Sequence, residues 1–512
     1  MARNSRTFKS VKNAKVALLF YLANLILQFF SRKIFLDYLG AEVLGLNTTV
    51  QNLLGFLNLA ELGIGSAVAY NLYKPLFDDD INTINDIVSL QGWLYRKVAY
   101  VVAIGACILM FFFPLIFVKA QLPLWYAYGS FIVLLVAALL EYFVCYHQIV
   151  LVADQKEYKI TIVVQGIKIL KIISQIFAIS YLKNGYLYWM ILELLMAIVT
   201  AIVLNMVLKR EYLWLKSIPA KGKELRSQYP MIIKKTKQLF FHRISGFVLT
   251  QTSPLIIYAY TSLTIVAIYG NYMLIVIGIT GLQNALFNSL NAGVGGLVAE
   301  GNKTRLISVF RELFSFRFFM VAVTCFGVYI LASPFITLWI GYEYILDSTS
   351  LLLIVGILYL NTMRSVVDAY IYAYGLYHDI WAPVIETFLN VGLSIGLGYL
   401  WGLFGVLLGV LVSLLCVIFL WKPYFLFKRG LQVSISIYVK IYIKHLILAS
   451  IISILVLFIN NSIMVNPESS FLSFVYYSAM ILGMYGVFLF TALYFLEQGM
   501  RDFMKRMLHY IR

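Results

Sequence analysis

Six basic side chains fall inside long apolar runs: Arg32, Lys33, Lys168, Lys171, Arg243 and Arg364. Facing lipid at mid-depth, each would cost about 3 kcal/mol, on the order of 18 kcal/mol together. That exceeds the ~5–15 kcal/mol net stability of a whole protein. They must therefore face one another, acids or water. Spacing identifies the helical faces involved. Asn24, Gln28 and Arg32 recur at i, i+4 and i+8, a single polar stripe. Asn47, Gln51, Asn58 and Glu61 lie within a narrow arc at about 100° per residue. Gln165, Lys168, Lys171 and Gln175 share a face that carries no acid. Asn361, Arg364 and Asp368 form another, and Glu386, Asn390 and Ser394 a fifth. One wet face on each of several helices is the arrangement expected around a central aqueous cavity. Unpaired cations there suit an anion, and arginine suits phosphate in particular.

Other roles compete at several of these positions. Arg317 and Lys444 lie near helix ends and are expected to snorkel to the headgroups. Lys33 points away from the Arg32 stripe and can do the same, while Arg243 is shallow, beside His242. Arg364 and Asp368, four residues apart, equally suit a buried salt bridge. Glu61, Asp368 and Glu386 are candidates for coupling to H+ or Na+. For Glu61 and Glu386 the competing reading is a neutral, hydrogen-bonded packing carboxyl. There is no Walker A sequence, no HExxH and no GxSxG, and the five histidines are scattered. Cys107, Cys145, Cys325 and Cys416 have no CxxC partner. No catalytic residue, metal site or bound cofactor is expected.

The elements that must position these faces follow from composition. The 512 residues are 62% apolar and only 12% charged, with a mean hydropathy of +0.87. That composition excludes a soluble globule and a disordered chain. Apolar runs of about 20 residues predict helices rather than barrel strands. The expected fold is an all-α polytopic membrane protein of fourteen spans: 15–38, 43–72, 97–118, 124–150, 158–182, 185–208, 238–260, 263–295, 312–340, 349–376, 380–402, 403–427, 438–460 and 471–497. With residue 1 inside, thirty of the forty Lys and Arg fall in inner segments and two, Lys119 and Lys183, in outer ones. This bias puts both termini in the cytoplasm. All eight tryptophans lie near predicted span ends, where an indole prefers to sit. The net charge of +17 is read as topology plus attraction to an anionic inner leaflet, not as nucleic-acid binding.

The long basic connection divides the chain into a first lobe at 1–210, a linker at 211–237, a second lobe at 238–430 and two further spans with a tail at 431–512. A weak echo of "LGLN…GIGSAVA" (44–47, 63–69) in "IYGN…GVGGLVA" (268–271, 293–299) supports related lobes. The match of "FFSR" (29–32) to "FFHR" (240–243) is rejected, because the two arginines fall at different depths.

The stretch "YLGAEVLGLNTTVQNLLGFLNLAELGIGSAVAYNLYKPL", Tyr38 to Leu76, resembles the first signature region of polysaccharide flippases. These are the Wzx-type branch of the multidrug/oligosaccharidyl-lipid/polysaccharide exporter superfamily. The resemblance implies two six-helix lobes in a V, with extra C-terminal helices in some branches. It also implies movement of undecaprenyl-pyrophosphate-linked oligosaccharide from the inner to the outer leaflet of a bacterial inner membrane, for O-antigen, capsule or similar surface polysaccharide. Membrane lipids and polysaccharide assembly proteins would be its partners. The family supplies no universal motif, so the substrate-cavity candidates rest on spacing: Arg32, Lys168, Lys171, Arg243, Arg364, Asn24, Gln28, Asn47, Gln51, Asn58 and Gln165. Two alternatives stand beside it. One is a cation-coupled multidrug exporter of the same fold, disfavoured because the deep acids (Asp37, Glu61, Glu141, Glu193, Asp368, Glu386) are matched by as many deep cations. The other is a membrane polysaccharide polymerase or ligase, disfavoured by the short outer loops.

Overall fold

The computed structural model describes the backbone of residues 6–61, 63–376, 379 and 381–511, and their side chains except at 6–11, 60, 238–239, 241–250, 285–286, 288–293, 299 and 509–511. The described chain is almost wholly helical. In lipid an unpaired backbone group is costly, and a helix satisfies its own. Eleven helical stretches among the described residues are long and apolar enough to cross a membrane. Two of these, Lys12–Leu57 and Trp381–Leu431, have 46 and 51 residues, far more than one crossing needs. Contacts divide the chain into two compact units, Met1–Ala267 and Ile268–Arg512.

The first unit contains α1 (Arg6–Leu57), α2 (Ile64–Phe77), α3 (Ile81–Phe111), the short α4 (Phe113–Ile116), α5 (Leu124–Phe143), the short α6 (Ile149–Ala153), α7 (Glu157–Tyr181), α8 (Gly185–Glu211), α9 (Gly222–Gln228) and α10 (Pro230–Tyr260). The helix α1 is two passes. Gly40 sits at φ +83°, a backbone state that favours glycine, and interrupts the helix. On one side of it, Asn13 bonds the backbone of Gln155 and Tyr158 at the start of α7. Phe35 and Val43, on either side of the break, both pack with Ile179, Tyr186 and Trp189 at the far end of α7 and the start of α8. Beyond them, α2 packs on α6, back at the end where Asn13 lies. We call this the proximal end and the Gly40 end distal. The proximal end is tied by ion pairs: Lys156 contacts Asp154 and Glu211, and Lys159 contacts Glu211.

From α11 (Leu263–Glu300) the chain enters the second unit, which holds α12 (Lys303–Ile340), α13 (Ser348–Ala373), α14 (Trp381–Leu414), α15 (Lys422–Phe425), α16 (Ser436–Asn460), α17 (Phe471–Leu496) and α18 (Gln498–Ile511). Two π-helical stretches, Leu415–Trp421 and Leu426–Leu431, flank α15. α14 is an antiparallel hairpin broken at Trp401 and Gly402. Its arms are so close that a Cβ on Gly409 would lie 2.5 Å from the Ser394 nitrogen. Asn390 donates to the Ser413 hydroxyl (3.1 Å), and the Ser394 hydroxyl donates to the Val406 carbonyl (3.2 Å). The polar face of Asn390 and Ser394, expected to line a cavity, thus bonds one arm to the other. α12 forms the axis of the unit, with Phe310 and Phe314 packed against Phe427, Tyr438 and Tyr442. The amphipathic α18 docks on α12 through the Phe316–Phe503 stack (4.2 Å) and the Arg506–Glu312 pair (3.0 Å).

Candidate functional site

One face of α7 carries Glu157, Thr161, Gln165, Lys168 and Lys171 in order from the proximal end. At 1.5 Å per residue, this face changes from acid to amide to base as it rises. Two adjoining cavities in the first unit follow the same progression. The proximal one, of about 600 Å³, is lined by Glu61, Gln91, Tyr95, Glu141, Gln148, Glu157 and Gln165 among others. The next, of about 310 Å³, is lined by Lys168, Lys171 and Glu193 and shares Glu141, Gln148 and Val164 with the first.

The walls are held by hydrogen bonds between helices. Tyr95 of α3 donates to Glu61 at 2.8 Å, and Tyr142 of α5 donates to Asn58 at 2.9 Å. The two rings stack 5.7 Å apart, so both donors are oriented by packing. Asn24 of α1 donates to Gln165 of α7 at 3.2 Å. Gln175 is buried and donates to the Trp189 carbonyl and to Glu193. Glu193 also takes Lys171 at 2.5 Å. Span 5 therefore does have an acid against its basic face. It comes from α8, which sequence spacing within one helix does not reveal. Lys168 differs: among the described residues no carboxylate lies within ion-pairing distance of it, and its half-buried ammonium lines the cavity beside the Lys171–Glu193 pair.

The remaining candidates fall in several settings. Arg32 donates to the Ala267 carbonyl at 3.1 Å. Gln28 is half-buried and Gln51 exposed. Asn47 is buried and accepts from the Tyr186 hydroxyl at 2.8 Å. Lys33 pairs with Asp37 at 3.2 Å, both half-exposed. The side chain of Arg243 lies outside the described residues. In the second unit Arg364 pairs with Asp368 at 2.9 Å, and Lys422 reaches the other carboxylate oxygen at 2.8 Å. Asp368 is thereby saturated by two cations of the chain itself, and the salt-bridge reading of Arg364 is the observed one. Glu386 is buried nearby with one oxygen unpaired. Arg317 corrects an expectation. It does not snorkel but is fully buried, donating to the Thr362 carbonyl and Asn284 with its guanidinium over the Phe287 ring at 4.0 Å. Helix packing encloses it before its side chain can reach an interface. Lys444 is half-exposed and pairs with Glu497 at 2.9 Å.

Spacing overlooked Gln91, Tyr95 and Gln148 as lining residues: the i, i+4 pair Gln91–Tyr95 lies before the predicted span 97–118, whereas α3 begins at Ile81 and includes it. Among the described residues no group of His, Cys, Asp and Glu is arranged to hold a metal ion.

No protein-family model matches the sequence, and no curated protein does. Solved structures do match. The lipid II flippase MurJ in an inward closed conformation superposes with a TM-score of 0.62 at 14% identity, over 93% of this chain and 99% of its own. An inward-facing MATE-family multidrug resistance transporter of the MOP superfamily gives 0.58 at 16% identity, over 81% and 99%. An outward-facing MATE structure gives 0.50 at 15% identity, over 82% and 96%. The fold is that of the MurJ and MATE transporters, in a multi-pass membrane protein.

Proposed function

We propose that this protein is a flippase for an undecaprenyl-pyrophosphate-linked oligosaccharide, moving it across a bacterial inner membrane by alternating access for surface polysaccharide synthesis. In this reading the proximal end faces the cytoplasm, no covalent chemistry is performed, and H+ or Na+ supplies any coupling. The carrying observation is Lys168, a cation with no acidic partner at ion-pairing distance among the described residues, lining a cavity in a fold shared with MurJ. A charge of that kind is expensive in a membrane unless a ligand or water compensates it. Its test is genetic. Lys168→Ala abolishes surface polysaccharide in a host that depends on this protein, at unchanged protein level. Normal export by that variant removes the anion site from the proposal.

A second reading has one observation in its favour: Glu61 and Glu141 line a cavity of about 600 Å³ that, among the described residues, no basic side chain lines. That is the environment a cation exporter needs. Resistance to cationic drugs conferred on a pump-deficient host selects it over the flippase.

A further inference from the structure

We propose that the acidic end of the first-unit cavity recognises an ammonium-bearing sugar, so that the preferred substrate is dipolar: anionic at Lys168, cationic at Glu61 and Glu141. This rests on the flippase reading and specifies its substrate class.

The charge distribution comes first. Glu61, Glu141 and Glu157 line the proximal cavity, and among the described residues no basic side chain lines it. Glu61 is oriented by the Tyr95 hydroxyl, and neither it nor Glu141 has a cation within ion-pairing distance among the described residues. Gln91 is an independent observation. It is 1% exposed, lines the same cavity, and its side-chain oxygen has no hydrogen-bond partner among the described residues. A buried acceptor left unmade is costly. Three carboxylates and a buried amide side chain with an unmade acceptor line one space, so the component that suits it is a donor of N–H groups carrying positive charge.

Size excludes the simplest occupant. About 600 Å³ falls within the range for small organic ligands, roughly 300–1,000 Å³, and far exceeds one alkali cation. Continuity with the basic cavity decides the rest. Glu141 and Gln148 belong to both, and Gln165 precedes Lys168 by one helical turn. Glu157 and Lys168, eleven residues apart on α7, are separated along its axis by roughly 16 Å. A short oligosaccharide joined to a phosphate spans that distance with its polarity matched at both ends. A lipophilic drug cation satisfies only the acidic end, and a quaternary one offers no N–H donor at all.

The full-length protein in proteoliposomes is tested with two fluorescent polyprenyl-pyrophosphoryl disaccharides that differ only in a free against an N-acetylated amino group. Wild type binds the free-amine probe about tenfold more tightly, the difference one charge-assisted hydrogen bond makes. Glu61→Gln and Glu141→Gln bring that ratio towards one, whereas Lys168→Ala weakens both probes alike. Gln91→Leu, which adds no charge, lowers the ratio if either glutamate variant fails to fold. Equal binding of the two probes by wild type, or a ratio unchanged in the variants, overturns the inference and leaves the flippase reading standing. Binding of neither probe overturns both. Displacement of the amine probe by tetraphenylphosphonium, which has no N–H donor, as effective as displacement by glucosamine also overturns it.

Discussion

At the scale of single residues, the energetics of this protein turn on whether each intramembrane charge has a partner. Lys171 and Glu193 are matched at 2.5 Å, with Gln175 holding the second carboxylate oxygen. Their side chains are 22% and 13% exposed, so neither is rescued fully by solvent. Removing one member strands the other, at a cost on the order of 3 kcal/mol, while replacing both with apolar residues is far milder. Glu193→Leu alone is therefore expected to lower the unfolding midpoint in detergent more than Lys171→Met combined with Glu193→Leu. Additive losses in a double-mutant cycle would show that the pair is not coupled. Lys168 gives the contrasting case: its substitution leaves no stranded acid, so the protein stays folded while substrate handling changes.

At the scale of elements, close approach between helices depends on small residues at particular places. A Cβ on Gly405 would lie 1.9 Å from the Leu397 carbonyl oxygen, and one on Gly409 2.5 Å from the Ser394 nitrogen. The obstacles are backbone atoms, which cannot rotate aside. Gly409→Leu should force the arms of α14 apart, break the Asn390–Ser413 bond and abolish recovery of monodisperse protein. Gly396→Ala, on the facing arm two residues from Ser394 and with open space around the added carbon, should leave yield and melting unchanged. Wild-type behaviour of Gly409→Leu in size-exclusion chromatography would contradict the hairpin geometry. The aromatic axis of α12 was legible only as apolar content, because partner choice among Phe310, Phe427 and Tyr438 is settled by helix crossings rather than by spacing.

For the whole molecule, the sidedness of the first unit follows from its reversal at Gly40. Leu213 lies in the proximal connection after α8 and is 87% exposed, whereas Gln121 is exposed in the distal connection before α5. Cysteines placed singly at these two positions should label from opposite faces of the membrane, the Leu213 site from the cytoplasm. Labelling of both from one face would contradict the reversal, and exchange of the two faces would contradict the orientation drawn from the basic residues. Charge bias can make that assignment because lysine and arginine resist translocation wherever they fall in short loops.

What the amino-acid sequence determined by itself was the solvent this chain is built for and the directions its helices expose to water. Twenty-residue apolar runs permit little but membrane helices, and 3.6-residue periodicity places Gln165, Lys168 and Lys171 on one face before any folding is considered. Partnership was decided only in three dimensions. Glu193 neutralises Lys171 from a different helix, Lys422 closes on Asp368 across 54 residues, and Arg317, near the start of the predicted span 312–340, is enclosed well inside α12. The physical reason is range. Periodicity reports which side of a helix a residue occupies, but electrostatic pairing and desolvation act over a few ångströms between elements whose packing no local pattern encodes.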